Sequence, residues 1–273
     1  MEQGISEDLR GKVAIVTGAG SRPGEGVGNG RAASILLARA GARVVLADAV
    51  PEWAEETRRM IAEEGRGEGV VVQADVTRPE DCARIVRTAA ERWGRLDALV
   101  NNVGIGGPRG TAEEVELEAW THGLLVNVTS MMLMAKHAVP EMRRAGGGAI
   151  VNIASVAGLR GGHPHLLYPT SKGAVVNMTR AMAVHHAKDR IRVNCVCPGM
   201  VYTPMVQQGG MTPERREARR LRSILQTEGT GWDVGAAVVF LCGGNSRWMT
   251  GAIVPVDAGA TAVVTLHSAY GEG

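Results

Sequence analysis

The sequence predicts a doubly wound α/β fold, a parallel sheet of seven strands with helices on both faces. Three observations predict it. Short Val- and Ile-rich runs alternate with longer segments of helical period, which is the order of βαβ units. The runs are apolar nearly throughout, so both faces of the sheet must be covered. A glycine-rich turn follows the first run, where sheets of this kind receive ligands.

Taken in order, strands are expected at 12–17 (KVAIVT), 43–47 (RVVLA), 69–74 (GVVVQA), 96–101 (LDALVN), 149–154 (AIVNIA), 191–196 (IRVNCV) and 252–256 (AIVPV). Between them helical stretches are expected near 30–40, 52–64, 79–93, 116–145, 166–187 and 231–242. A polar, Arg-rich insertion at 203–229 interrupts the alternation. With no internal repeat or linker, one domain is expected over 11–259, flanked by an N-terminal extension at 1–10 and a C-terminal tail at 260–273.

Composition narrows the function. The 273 residues carry 30 basic and 28 acidic side chains in interspersed order, which gives nucleic acid no basic patch. Four cysteines, Cys82, Cys195, Cys197 and Cys242, match neither a zinc-ligand pattern nor a CxxC pair, so no metal is expected and a reducing, cytoplasmic setting is. No apolar run approaches a membrane span, and the first residues lack the profile of a signal peptide.

The first strand runs through Thr17-Gly18-Ala19-Gly20-Ser21 and on to Gly28-Asn29-Gly30 before the helix opens at Arg31. Glycines here let backbone N–H groups approach a pyrophosphate, and the helix N-terminus favours the same charge. A Walker loop needs Lys followed by Ser or Thr, where this chain has Arg31-Ala32, so ATP and GTP are disfavoured. Asp48 ends the second strand, placed to accept from an adenosine ribose and to repel a 2′-phosphate, which points to NAD over NADP. Arg22 dissents, because its guanidinium would hold such a phosphate if the loop folds over the ribose.

In Tyr168-Pro169-Thr170-Ser171-Lys172, Pro169 is tolerated only in a first helical turn, so Tyr168 opens a helix. The i, i+4 spacing sets Tyr168 and Lys172 on one face, where the ammonium is expected to stabilise a phenolate. Ser155 follows the fifth strand at the ligand-binding edge of the sheet.

These residues resemble the classical short-chain dehydrogenase/reductase family, with its Rossmann-type fold, from about Leu9 to Gly259. By that resemblance Asn127, Ser155, Tyr168 and Lys172 are the catalytic tetrad. Gly18, Ser21, Gly28, Asn29 and Gly30 belong to the cofactor turn, and Asp75 and Val76 to the adenine contact. Asn102, Val103 and Gly104 stand in the family's NNAG segment, with Val103 in place of alanine. Pro198, Gly199, Val201 and Thr203 form the segment contacting the nicotinamide. The turn is longer than the family's, with Arg22–Val27 as the insertion, and Gly24-Glu25-Gly26-Val27-Gly28 offers a competing register.

The resemblance implies NAD(H)-dependent hydride transfer between nicotinamide and a small-molecule secondary alcohol or ketone, with Tyr168 as general acid and base. It also implies a homotetramer. An NADPH-dependent ketoreductase and a non-catalytic dinucleotide sensor are the alternatives. Gly106–Arg109, Ala157–Leu167 and the 203–229 insertion are expected to wall the substrate pocket, the last closing over the nicotinamide on hinges at Gly209 and Gly210. His163 and His165 stand beside Tyr168, and Met131, Met132 and Met134 read first as packing.

Overall fold

The computed structural model describes residues 9–207 and 210–263. Among them, seven strands form one sheet: β1 (Val13–Thr17), β2 (Arg43–Asp48), β3 (Glu68–Gln73), β4 (Ala98–Asn101), β5 (Gly148–Ile153), β6 (Ile191–Pro198) and β7 (Ile253–Val256). Their order is β3-β2-β1-β4-β5-β6-β7, and every pairing is parallel. This is the doubly wound fold that the apolar runs predict.

The helices are α1 (Asn29–Arg39), α2 (Pro51–Glu64), α3 (Pro79–Trp93), α4 (Leu117–Leu124), α5 (Ser130–Arg144), α6 (Leu167–His186), α7 (Pro204–Gln207), α8 (Pro213–Arg220) and α9 (Gly231–Cys242). Local chemistry sets several of their ends. Pro51 and Pro79 stand in first turns, where the missing N–H costs nothing, and Gly65 and Gly94 close the same helices in left-handed conformation at φ 62° and 73°. Thr230 and Asp233 cap α9 reciprocally.

One core packs α1, α2 and α9 on one face of the sheet, through Ile35, Leu37, Ile61 and Val238. The other packs α3, α5 and α6, through Ile85, Leu133, Met142 and Met182. Leu9 and Ala260 are both buried. The rest of the expected extension (1–8, with Arg10 at the surface) and most of the tail (264–273) lie outside the described residues, as does Gly209 of the expected hinge pair.

One expectation changes. The single helix near 116–145 is two, separated by a π-helical turn at Leu125–Thr129. Asn127 sits in that turn with its side chain bonded to another loop, and the wider turn rotates α5 relative to α4. The 203–229 insertion contains α7 and α8, the latter with Thr212 accepting from Arg215 N.

Candidate active site

Strand order reverses beside β1: the chain leaves β1 toward β2, and β4 toward β5, so the loops at the carboxyl ends of β1 and β4 diverge and leave a crevice. Gly18 (φ 62°) turns the chain out of β1. Asn102, after β4, closes the floor: its Nδ2 donates to Thr17 O and Gly18 O, each at 3.0 Å, and its backbone N–H donates to Thr17 Oγ1. Gly30 is seated so closely that a Cβ there would lie 1.9 Å from Gly18 O and 2.5 Å from Asn102 Nδ2. Ser21 Oγ accepts from Gly28 N at 3.0 Å, across the base of the inserted segment.

No side chain caps α1 and its first turn holds no acidic residue, so its leading N–H groups are left for an anion. Asn29 Oδ1 is buried there with no hydrogen-bond partner. Half a turn of that carboxamide replaces the orphan acceptor with N–H donors. A glycine cradle, an uncapped helix N-terminus and an adaptable amide fit a pyrophosphate.

At the end of β2, Asp48 Oδ2 accepts from Gly20 N at 2.9 Å and Oδ1 from Val50 N at 3.0 Å. Each carboxylate oxygen accepts more than one bond, so capacity for ribose hydroxyls remains. Sequence reasoning missed two residues here, Gly20 and Trp53. A Cβ on Gly20 would lie 2.5 Å from Trp53 Cβ and 2.9 Å from Asp48 Oδ2. The Arg22 guanidinium lies 5.4 Å from the Trp53 ring centroid, so it flanks this same corner. Gly20 was visible as a turn glycine; nothing in the sequence marks Trp53.

Further along the edge, the Asp75 carboxylate accepts from Thr77 N and Oγ1, while Val76 is buried in the core. Val103 packs partly against the same core. Gly199 N donates to Val256 O, and a Cβ on Gly199 would meet Asp257. Pro198 ends β6, Val201 bridges to Gly229, and Thr203 is buried.

The four tetrad positions meet at the carboxyl end of β5. Ser155 follows β5 and its Oγ accepts from Ala157 N, which fixes the hydroxyl at the head of a short 3-10 turn. Asn127 Nδ2 donates to Ile105 O and to Ser171 Oγ, and its Oδ1 accepts from Ile105 N at 2.8 Å. Lys172 Nζ donates to Ile153 O at 3.0 Å. A Cβ on Gly104 would lie 3.0 Å from Lys172 Nζ and 3.5 Å from Asn127 Oδ1, so a side chain there would crowd the ammonium. His163 stacks 5.2 Å from the Tyr168 ring at a tilt of 32°, and His165 Nδ1 accepts from Gly110 N, tying the two expected pocket walls together.

Burial dominates the electrostatics of the ligand-free site. Burial pushes the Tyr168 phenol up, and a hydrogen bond with Ser155 opposes the rise. The Lys172 ammonium lies 5.8 Å from the Tyr168 ring centroid and is itself pushed down to about 8 by burial. Each shift is the cost of taking that group's own charged form out of water, which lowers an ammonium and raises a phenol.

Fold and site define a dinucleotide-dependent oxidoreductase, and comparison with known proteins agrees. Residues 25–261 match a family model described as enoyl-(acyl carrier protein) reductase. The chain is 36% identical over 259 residues to cis-4-hydroxycyclohexanecarboxylate dehydrogenase of Sinomonas cyclohexanicum, covering 95% of this chain and 100% of that one. It is 36% identical over 252 residues to meso-2,3-butanediol dehydrogenase of Serratia marcescens, covering 92% and 95%. A structure of 7α-hydroxysteroid dehydrogenase complexed with NADH and 7-oxo glycochenodeoxycholic acid superposes with a TM-score of 0.86 at 31% identity, covering 95% of this chain and 98% of that one. The chain belongs to the short-chain dehydrogenase/reductase family and is an NAD(H)-type oxidoreductase. No helix among the described residues is long and apolar enough to cross a membrane.

The buried ammonium makes a prediction about stability. Because the folded pKa of Lys172 lies below its unfolded value of about 10.5, the unfolded chain binds more protons between about pH 8 and 10.5, and stability rises with pH across that window. Lys172→Met is therefore expected to stabilise the ligand-free protein at pH 7 by up to about 3 kcal/mol, a gain that fades as pH climbs from 8 toward 10.5. Thermal unfolding of both proteins across that range checks it; a gain independent of pH would contradict it.

Proposed function

We propose that the protein interconverts a small secondary alcohol and its ketone with NAD(H), Tyr168 acting as general acid and base. One observation carries the reading: Lys172 Nζ, held on Ile153 O at the end of β5, lies 5.8 Å from the Tyr168 ring centroid, with Ser155 two residues beyond Ile153. Two hydroxyls there converge on one substrate oxygen, as a carbonyl requires.

The bound nicotinamide supplies or takes up the hydride. The uncapped first turn of α1, with Gly18 and Gly28–Gly30, holds the pyrophosphate, and Asp48 accepts from the adenosine ribose. Asp75 and Val76 edge the adenine, with Asn102, Val103 and Gly104 along the groove. Pro198, Gly199, Val201 and Thr203 line the nicotinamide end. Lys172 donates to the nicotinamide ribose while its bond to Ile153 O keeps it in place. Ser155 donates to the reacting oxygen, and Tyr168 gives that oxygen its proton in reduction or takes it in oxidation. Asn127, bonded to the Ile105 backbone and Ser171, holds α4 and α5 at the angle that leaves Lys172 room. The relatives named above for hydroxycyclohexanecarboxylate and butanediol support a carbinol substrate.

Tyr168→Phe is expected to lower kcat by more than about a thousandfold while NADH affinity stays within about twofold, since it removes the transferred proton and little binding surface. Fluorescence titration and steady-state rates on a panel of secondary alcohols separate the two; a variant with the parental kcat would refute the mechanism.

Cofactor choice rests on Asp48, whose carboxylate would meet the 2′-phosphate of NADP at close range. NAD(H) is expected to be preferred by at least about tenfold in kcat/KM, a discrimination of about 1.4 kcal/mol. Arg22, held beside Trp53, is the observation favouring NADPH. Asp48→Asn should narrow the preference and Arg22→Ala leave it nearly untouched. Parity of the two cofactors in the parent would hand the ribose corner to Arg22.

We also propose that the chain assembles as a homotetramer in a reducing compartment. Support comes from large apolar side chains left at the surface, Leu117 at 76%, Val184 at 77% and Trp248 at 91% exposure, and from four unpaired thiols. Light scattering that returns a monomer mass would overturn the assembly.

A further inference from the structure

The inserted segment Arg22–Val27 leaves the dinucleotide turn and meets the 203–229 stretch. The contact centres on Gln207, whose carboxamide pairs with the Glu25 backbone in both directions. Glu25 N donates to Gln207 Oε1 at 3.2 Å, and Gln207 Nε2 donates to Glu25 O at 2.5 Å. Gly24 makes this approach possible twice over: its φ is 147°, and a Cβ would lie 2.9 Å from Gln207 Oε1 and 3.3 Å from Pro204 Cβ. Around the pair, the Glu25 carboxylate accepts from Tyr202 Oη and from Arg216, both at 3.3 Å. Arg216 forks onto Glu228 at 2.6 and 2.7 Å and lies 3.8 Å from the Tyr202 ring centroid.

We infer that this contact is a clasp by which the dinucleotide turn positions the base of the substrate-side stretch, with Gln207 as its positioning residue. One jaw, ending at Gly28, leads directly into the α1 N-terminus that cradles the pyrophosphate. The other, from Val201 to Gln207, continues the segment at the nicotinamide end. This contact therefore joins the pyrophosphate cradle to the nicotinamide end of the cofactor groove, and ordering either jaw restricts the other. The Glu25 side chain of the ion pair with Arg216 is 67% exposed, so that pair adds little and the carboxamide holds the clasp. The bidentate amide contact asks for one residue type at 207 and no side chain at 24, whereas a chance surface contact asks for neither.

The test compares Gln207→Ala and Glu25→Gln with the parent; neither residue is assigned to the tetrad or to the cofactor groove. Hydrogen exchange of the ligand-free proteins is the primary readout. Gln207→Ala should quicken exchange by about tenfold in peptides from both jaws, 20–28 and 201–207, whereas Glu25→Gln, which keeps the backbone pair, should stay close to the parent. In turnover, Gln207→Ala should raise the KM for the alcohol about fivefold, with kcat and NADH affinity within about twofold. Faster exchange confined to the 201–207 jaw, no change in either, or a fall in kcat at constant KM would overturn the clasp. The turnover arm rests on the alcohol dehydrogenase reading. Should the parent accept no alcohol, that reading fails, and the exchange data on both jaws still decide the clasp.

Discussion

Burying the ammonium of Lys172 is the constraint on which the site depends. A lysine in the second turn of α6 reaches the sheet only if the chain opposite offers an acceptor and no bulk. Ile153 at the end of β5 provides the carbonyl, and Gly104 after β4 provides the bare backbone. These two demands fix α6 against β5 and β4 together. Once α6 is fixed, Tyr168 one turn earlier has nowhere to stand except beside Ser155. The placement of Ser155, Tyr168 and Lys172 thus follows from accommodating one charge, and the charge is held at an energetic cost that a packing residue would not incur.

The crevice is built by a second economy, close approach of backbone to backbone. Asn102 ties the end of β1 to the segment after β4 with one side-chain amide and one N–H, while Gly18 and Gly30 touch without side chains. Parallel sheets leave their carboxyl edges without local hairpins, so such bonds are what hold the edge in a single shape. The π-helical turn at Asn127 belongs to the same economy. Its amide satisfies the Ile105 backbone on one side and Ser171 on the other, in a helix that would otherwise run straight past the site.

Much of this was legible in the sequence. The strands are read from apolar runs because burial on both faces leaves few polar interruptions, and α3 is read within a residue because periodicity is strong there. The tyrosine, lysine and serine positions are read from spacing and from strand ends. The π-helical turn was not, since nothing within Leu125–Thr129 distinguishes it from ordinary helix. Nor was the depressed pKa of Lys172, which depends on what α6 packs against. The contact of Glu25 with Gln207 spans 182 residues between two polar segments, where neither hydrophobic period nor turn chemistry gives a signal. Local pattern reports on local structure, and these three features are tertiary.

Gly28 N donates to Ser21 Oγ across the base of the inserted segment. This bond pinches off residues 22–27 at their neck, so the chain enters and leaves that excursion at nearly the same place. Length inside the neck is then decoupled from the position of the α1 N-terminus. The glycine turn is a socket with an attachment beyond the neck, and it is this attachment, through Gly24 and Glu25, that meets the 203–229 stretch. A scaffold of this kind separates the part that must be invariant for binding a dinucleotide from the part that can be varied to change what meets it.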